Sequence, residues 1–333
     1  MIDNKVHYRT CNLCEAMCGL EITYKEKEII SIVGDKKDPL SKGYICPKSL
    51  ALKDLYEDQD RLKTPIKRTE NGWKKISWRE AFDEVENQIK KIQEEYGNNA
   101  VATYQGNPNV HNFGSMLYGG PFLKSLKTKQ KYSATSADQL PHHIASLKMF
   151  GHQMLIPIPD IERTDYLLIL GANPGASNGS LLTAPGFPQK IKNIQKRGGK
   201  VINIDPRFTE TSKISTKHFY INPGKDALFL LSLLHVIFDH GVEEKTHLSD
   251  YLKGIEEVKE IVKEYSPQKT ALTIGIDTLE IEKIAKDFVN SKTSVCYGRM
   301  GVSTQEYGGV CQWLINVLNI VTNNMDKVGG AMF

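Results

Sequence analysis

The sequence predicts an α/β protein in which a small β-rich module precedes doubly wound, mainly parallel α/β lobes. Two observations carry this prediction. Four of the six cysteines fall within the first 46 residues, around a stretch that alternates like a strand pair, and from residue 77 onward short apolar runs alternate with helical patterns. Strands alternating with helices imply a mainly parallel sheet covered on both faces. The 333 residues suggest about two domains at roughly 150 residues each. With 40% hydrophobic and 25% charged residues, neither a disordered polymer nor a membrane-embedded bundle fits. The apolar stretch 228–238 is too short to span a bilayer and carries Ser232 and His235. Lys and Arg total 43 against 39 acidic residues, a balance of +4 with no basic block, so neither nucleic acid nor membrane insertion is expected. The opening MIDNKVHYRTCNLC has no twin-arginine pair and no apolar signal core, which predicts a cytoplasmic chain.

Cys11, Cys14 and Cys18 form C-x2-C-x3-C, and Cys46 follows after 27 residues in GYICPKS. A cubane [4Fe-4S] cluster needs one soft thiolate per iron, and a tight loop giving three with a remote fourth suits it. A zinc site, which more often uses two separated C-x2-C pairs, and a disulfide pair are the competing readings. Between the ligands, LEITYKEKEIISIVGD reads as a two-stranded hairpin. The module is drawn as residues 1–62 and the α/β region as residues 63–333.

The α/β region opens with a helix at 77–96, capped by Ser77 and Glu80, striped by Phe82, Val85, Ile89, Ile92 and Tyr96, and stopped by Gly97. Strands are expected at 100–104, 166–170, 201–205, 218–221 and 293–297. Helices are expected at 136–150, 187–197, 226–239, 248–265, 277–289 and 305–323. Ligands of such sheets bind at the carboxyl ends of strands. There the sequence places GANPGASNGS (171–180), Asp205-Pro206-Arg207 and Asn222-Pro223-Gly224-Lys225-Asp226. Small residues let backbone N–H groups approach a phosphate, an acidic strand end suits a ribose hydroxyl or a guanine edge, and Arg207 suits a phosphate. Each loop alone is ordinary turn punctuation; three in successive units suggest a dinucleotide laid across the sheet. Cys296 and Cys311 lie in apolar runs and read as core thiols.

In these motifs, together with Cys46-x-Lys48, IDPRFTET, NPGKDAL, GRMGVSTQEYGG and NIVTNNMDKVGG, the chain resembles the bis-molybdopterin guanine dinucleotide oxidoreductases of molybdenum or tungsten, the dimethyl sulfoxide reductase superfamily. The cluster spacing is similar to that of the formate dehydrogenase and nitrate reductase branch. The resemblance implies Rossmann-like lobes, a [4Fe-4S] cluster and a Mo or W bis-molybdopterin guanine dinucleotide. It assigns Lys48 to electron transfer between cluster and pterin; a solvated surface lysine is the plain alternative. It places Gly171, Asn173, Ser177 and Asn178 in a pterin dinucleotide loop, with Asp205, Arg207, Gly224 and Asp226 toward its guanosine end. Met300 and Gln305 fall in a later loop against a pterin, with core packing the alternative for Met300. The family's metal ligand lies some 33 residues before Gly171, which lands on Asp138; Ser133 and Ser136 are the fallbacks. A carboxylate suits an oxidised Mo or W centre, although Asp also serves as a helix N-terminal charge. His142 and His143 follow one turn later as candidate proton donors or acceptors, although an ordinary buried or surface histidine is the plainer reading of each.

The resemblance also implies a longer protein, because family chains continue past the VGG phrase into a C-terminal domain that encloses both dinucleotides. The chain is therefore expected to be a fragment, an incomplete product, or half of a split enzyme whose C-terminal domain is a separate subunit. The implied function is two-electron redox or oxygen-atom transfer on a small substrate, with electrons passed to a partner protein. The rivals are an iron–sulfur electron-transfer subunit without Mo and a non-redox hydratase of the same family.

Overall fold

The central strands of the α/β region, Tyr166–Leu170 and Ser294–Gly298, are buried along their whole length, as the apolar run YLLIL demands. The computed structural model describes residues 3–241 and 247–333, which divide into units 1–134 and 135–333.

In the N-terminal unit, β1 (Lys5–Thr10), β2 (Gly19–Lys25) and β3 (Glu28–Gly34) form an antiparallel sheet in that order. The expected hairpin is β2–β3, and β1 adds a third strand. Next, α1 (Pro47–Leu50) starts at Cys46, with Pro47 in its first turn where the missing N–H costs nothing. The short α2 (Leu52–Glu57) leads to the hairpin β4 (Ile66–Thr69) and β5 (Gly72–Lys75). The helix expected at 77–96 is α3 (Trp78–Tyr96); Ser77 accepts from the Glu80 N–H at 3.1 Å, and Gly97 ends it at φ 84°. A crossover follows: β6 (Thr103–Gln105), α4 (Phe113–Ser125) and β7 (Lys131–Ser133), with β6 and β7 parallel.

In the second unit, the helix expected at 136–150 is two helices, α5 (Thr135–Asp138) and α6 (Leu140–Phe150), because Pro141 lacks the N–H a continuous helix would use and instead begins a new one. After β8 (Ile158–Pro159), the chain runs β9 (Tyr166–Leu170), α7 (Pro174–Ser177), α8 (Phe187–Lys196), β10 (Lys200–Ile204), α9 (Glu210–Ile214) and β11 (Lys217–Phe219). Helices α10 (Asp226–Asp239), α11 (Ile255–Val262), α12 (Pro267–Ile274) and α13 (Thr278–Asn290) lead to β12 (Ser294–Gly298), α14 (Met300–Ser303), α15 (Gly308–Val321) and β13 (Ala331–Met332), which pairs with β8.

The main sheet is wholly parallel, in the order β11-β10-β9-β12. Alternate residues of β9 feed opposite cores. Tyr166, Leu168 and Leu170 pack with Phe229 and Leu233 of α10, whereas Leu167 and Ile169 pack with Phe187 and Ile191 of α8. Each such side chain removed from water stabilises the unit by about 1.5–3 kcal/mol. Strand order reverses between β9 and β12, which makes their carboxyl ends the switch point where ligands of open α/β sheets bind. On the side away from β9, edge strand β12 finds its partners in side chains rather than in another strand. Asn319 Oδ1 accepts from Cys296 N at 2.9 Å while its Nδ2 donates to Cys296 O at 3.0 Å, and Asn324 Oδ1 accepts from Ser294 N at 3.1 Å.

Candidate functional site

The loop between β1 and β2 folds back on itself, Cys11 N donating to Cys18 O at 2.8 Å. Cys11, Cys18 and Cys46 are buried and Cys14 is half-buried, beside Ala16, Leu20 and Ile45. Burial pushes the Cys18 thiol up to about 11, with Cys11, Cys14 and Cys46 all close enough to add to the rise. Cys11 Sγ lies 3.0 Å from Ser49 Oγ in the turn that opens at Cys46, so the Cys11–Cys18 loop and the Cys46 turn meet. Among the described residues, no three His, Cys, Asp or Glu side chains converge as they would on a single ion. Cluster thiolates do not share such a point, since each holds a different iron. The four-thiol donor set fits an iron–sulfur group. Burial also raises the Cys14 thiol, and the ammonium of exposed Lys48 is near enough to oppose that rise.

At the switch point, the loops leaving β9 and β12 are joined backbone to backbone. Arg299 N donates to Leu170 O at 3.2 Å, and Gly301 N donates to Gly171 O at 2.9 Å. Gly171 holds φ 53°, and a Cβ on it would meet Val302 N at 2.7 Å. Asn173 clips this loop to α9: its Nδ2 donates to Glu210 at 2.8 Å and its Oδ1 accepts from Thr211 Oγ1 at 2.8 Å. Its side chain thus shapes the loop from within. Ser177 is exposed, and Asn178 takes left-handed φ at 56°.

Acceptors gather beside these loops. Asp205 directly follows β10, its Oδ1 accepting from Arg207 N at 2.8 Å, and burial raises its carboxyl above the ordinary range; the Arg207 side chain is exposed. Gly224, at φ 76°, lets the chain turn into α10, where buried Asp226 accepts from Gln305 Nε2 at 2.9 Å. Burial raises Asp226 as well, and the charge of Asp205 adds to the rise. Gln305 Nε2 also donates to Gly301 O at 3.1 Å, while its buried Oε1 has no partner. An orphaned acceptor beside the Asp226 carboxylate suits a ligand edge rich in N–H donors, as guanine and pterin are. Met300 is exposed rather than packed in the core.

The structure brings Asp138, at the end of α5, to the exit of β12. Arg299 grips it with Nη1 to Oδ1 at 2.6 Å, Nη2 to Oδ2 at 3.3 Å and Nη1 to the Asp138 carbonyl at 3.2 Å. A carboxylate has about four lone-pair positions, so this pair leaves some for a metal. Ser136 is exposed on α5, and Ser133 closes β7 in the N-terminal unit.

His142 is buried, and its Nε2 lies 3.1 Å from Gly298 O, an atom that can only accept. Nε2 therefore carries the proton and Nδ1 is bare, facing the Ser303 hydroxyl at 3.4 Å, which in turn accepts from Gln312 Nε2 at 3.1 Å. Burial lowers its pKa to about 4. With both nitrogens engaged, the ring is a neutral strut between α6 and β12 rather than an exposed proton donor. His143 is less buried, and its Nε2 has no partner. The sign of the linkage follows from His142: the unfolded chain takes up the proton near pH 6.5 and the folded one only near pH 4. Stability is thus intact above pH 6.5 and falls by about 3 kcal/mol as pH drops through that window. His142→Gln should flatten this part of the urea-midpoint profile; parallel profiles would refute the assignment.

Arg299, Gln312 and Ser303 were not marked by the sequence, although Arg299 directly precedes Met300 at a strand end. Cys296 and Cys311 are buried core thiols, the latter pushed up to about 12 by burial.

The sequence profile described as "Molybdopterin oxidoreductase" matches residues 61–333, and that of the "Molybdopterin oxidoreductase Fe4S4 domain" matches residues 4–57. Similar chains include a probable oxidoreductase YoaE of Bacillus subtilis, 27% identical over 98% of this chain and 48% of its own. The F420-dependent formate dehydrogenase subunit alpha of Methanocaldococcus jannaschii is 27% identical over 98% and 47%. Acetylene hydratase from Pelobacter acetylenicus shares the fold, with a TM-score of 0.78 and 24% identity over 97% of this chain and 44% of its own. The chain spans about half the length of these relatives. No described helix is long and apolar enough to cross a membrane.

Proposed function

We propose, from the premise that this chain belongs to the molybdopterin oxidoreductase family, that it forms the cluster-binding and first dinucleotide-binding portion of an enzyme acting by redox on a small substrate. The meeting of the Cys11–Cys18 loop, which also carries Cys14, with the turn that opens at Cys46 carries the reading. When bound, the cluster and a Mo or W bis-molybdopterin guanine dinucleotide supply one-electron relay and two-electron or oxygen-atom chemistry. The chain's own residues hold and orient these groups. The four thiols ligate iron, and Lys48 sets a positive charge beside Cys14. Gly171 and Gly301 keep the loop backbones low enough for close approach, and Asp205, Asp226 and Gln305 Oε1 take the N–H donors of the dinucleotide. Asp138, oriented by Arg299, supplies the protein oxygen to the metal. A separate electron-acceptor protein and a cytoplasmic setting belong to the same reading.

Metal and nucleotide analysis of anaerobically purified protein tests it. About four irons per chain with Mo or W and acid-released GMP are expected. Four irons without either would favour an electron-transfer role, and zinc without iron would overturn the reading. In the complete enzyme, Asp138→Ala should cut turnover by more than about 100-fold, the upper range for partners behind a metal ligand, with iron content unchanged. Unchanged turnover would dismiss Asp138 as ligand.

A further inference from the structure

Ser49 sits in the first turn after Cys46, 1% exposed, with its Oγ 3.0 Å from Cys11 Sγ. A hydroxyl buried this deeply costs about 1–3 kcal/mol if left unbonded, so its proton requires an acceptor. The backbone fixes the geometry: Ser49 N donates to Cys46 O at 3.0 Å, and Cys11 is tied to Cys18, so both partners stand on elements pinned to cluster cysteines. A ligating cysteine is a thiolate with no proton to give, which leaves Ser49 as the donor.

We propose that Ser49 sets the reduction potential of the iron–sulfur cluster by donating a hydrogen bond to the sulfur of Cys11. This rests on the reading of the four cysteines as cluster ligands. A donor on a ligating sulfur draws electron density from it and favours the more negative, reduced cluster, so the potential rises; hydrogen bonds to sulfur are among the protein's levers on cluster potential. The low-dielectric pocket strengthens the effect. Ser49 touches no substrate; it acts through Cys11.

The test compares the whole chain with its Ser49→Ala and Ser49→Thr variants, purified anaerobically, counted for iron and titrated potentiometrically by EPR. Equal iron is expected in all three. Ser49→Ala should titrate at lower potential, with the reduced-to-oxidised ratio at a fixed poise falling about tenfold, equivalent to 59 mV for one electron. Ser49→Thr, which keeps the hydroxyl, should stay near the parent. After exchange into D2O, the reduced parent should lose one coupled proton signal that Ser49→Ala never shows. An unmoved midpoint in iron-loaded Ser49→Ala overturns the proposal. Iron lost from Ser49→Ala alone assigns the hydroxyl to cluster retention and overturns it too. A parent chain without iron overturns the cluster reading itself, a separate and recognisable failure.

Discussion

Cys18→Ala is expected to lower bound iron from about four to three or fewer per chain and to bleach most of the visible absorption, because it removes one of the four proposed thiolate ligands, one per iron. Cys311→Ser is the matched control. That thiol lies at 0% exposure in the second unit, so its replacement should cost stability by burying a hydroxyl while leaving iron untouched. Iron counted by ferrozine or plasma emission decides between them. Four irons retained in Cys18→Ala, or equal losses in the two variants, would remove Cys18 from the ligand set.

The second large effect is expected at the switch point. Gly171→Ala must hold a side chain at φ 53° and push a methyl against Val302 N at 2.7 Å and the Gly301 carbonyl carbon at 2.9 Å. Left-handed backbone alone costs about 1–2 kcal/mol. A clash with rigid backbone adds to it, so a total of about 3–5 kcal/mol is expected, a fall of roughly 10 °C in Tm. Gly224→Ala takes φ 76° in open space and should show only the conformational part, about 1–2 kcal/mol. Thermal melts followed by Trp fluorescence, which includes core-packed Trp313, separate the two. Equal shifts would mean that the Gly171–Gly301 approach is not a constraint.

The elements that were legible in sequence are those whose local signals and burial agree. Strand Tyr166–Leu170 and helix Asp226–Asp239 fall where the apolar runs place them. Helix α4 escaped notice because Gly119, Gly120 and Pro121 lie inside it. The single helix expected over 248–265 is shortened to α11 by Gly254 at φ 87°, and α12 begins afresh at Pro267. At the site, acids and glycines following strands were readable because strand ends locate them. Arg299 was not: it meets Asp138 across 161 residues of sequence, a contact that only the parallel sheet creates. Ser49 was hidden similarly, since a serine one residue past Lys48 has no periodicity to mark it.

The amide side chains lining β12 have a consequence for how this sheet can grow. Asn319 and Asn324 occupy the hydrogen-bonding groups that another strand would need, so the β12 margin is sealed against accretion. A strand from elsewhere, whether in a longer form of the chain, a swapped copy or an aggregate, would have to displace both asparagines from near-complete burial. Enlargement of the sheet is thereby directed toward the three-residue strand β11 at the opposite margin.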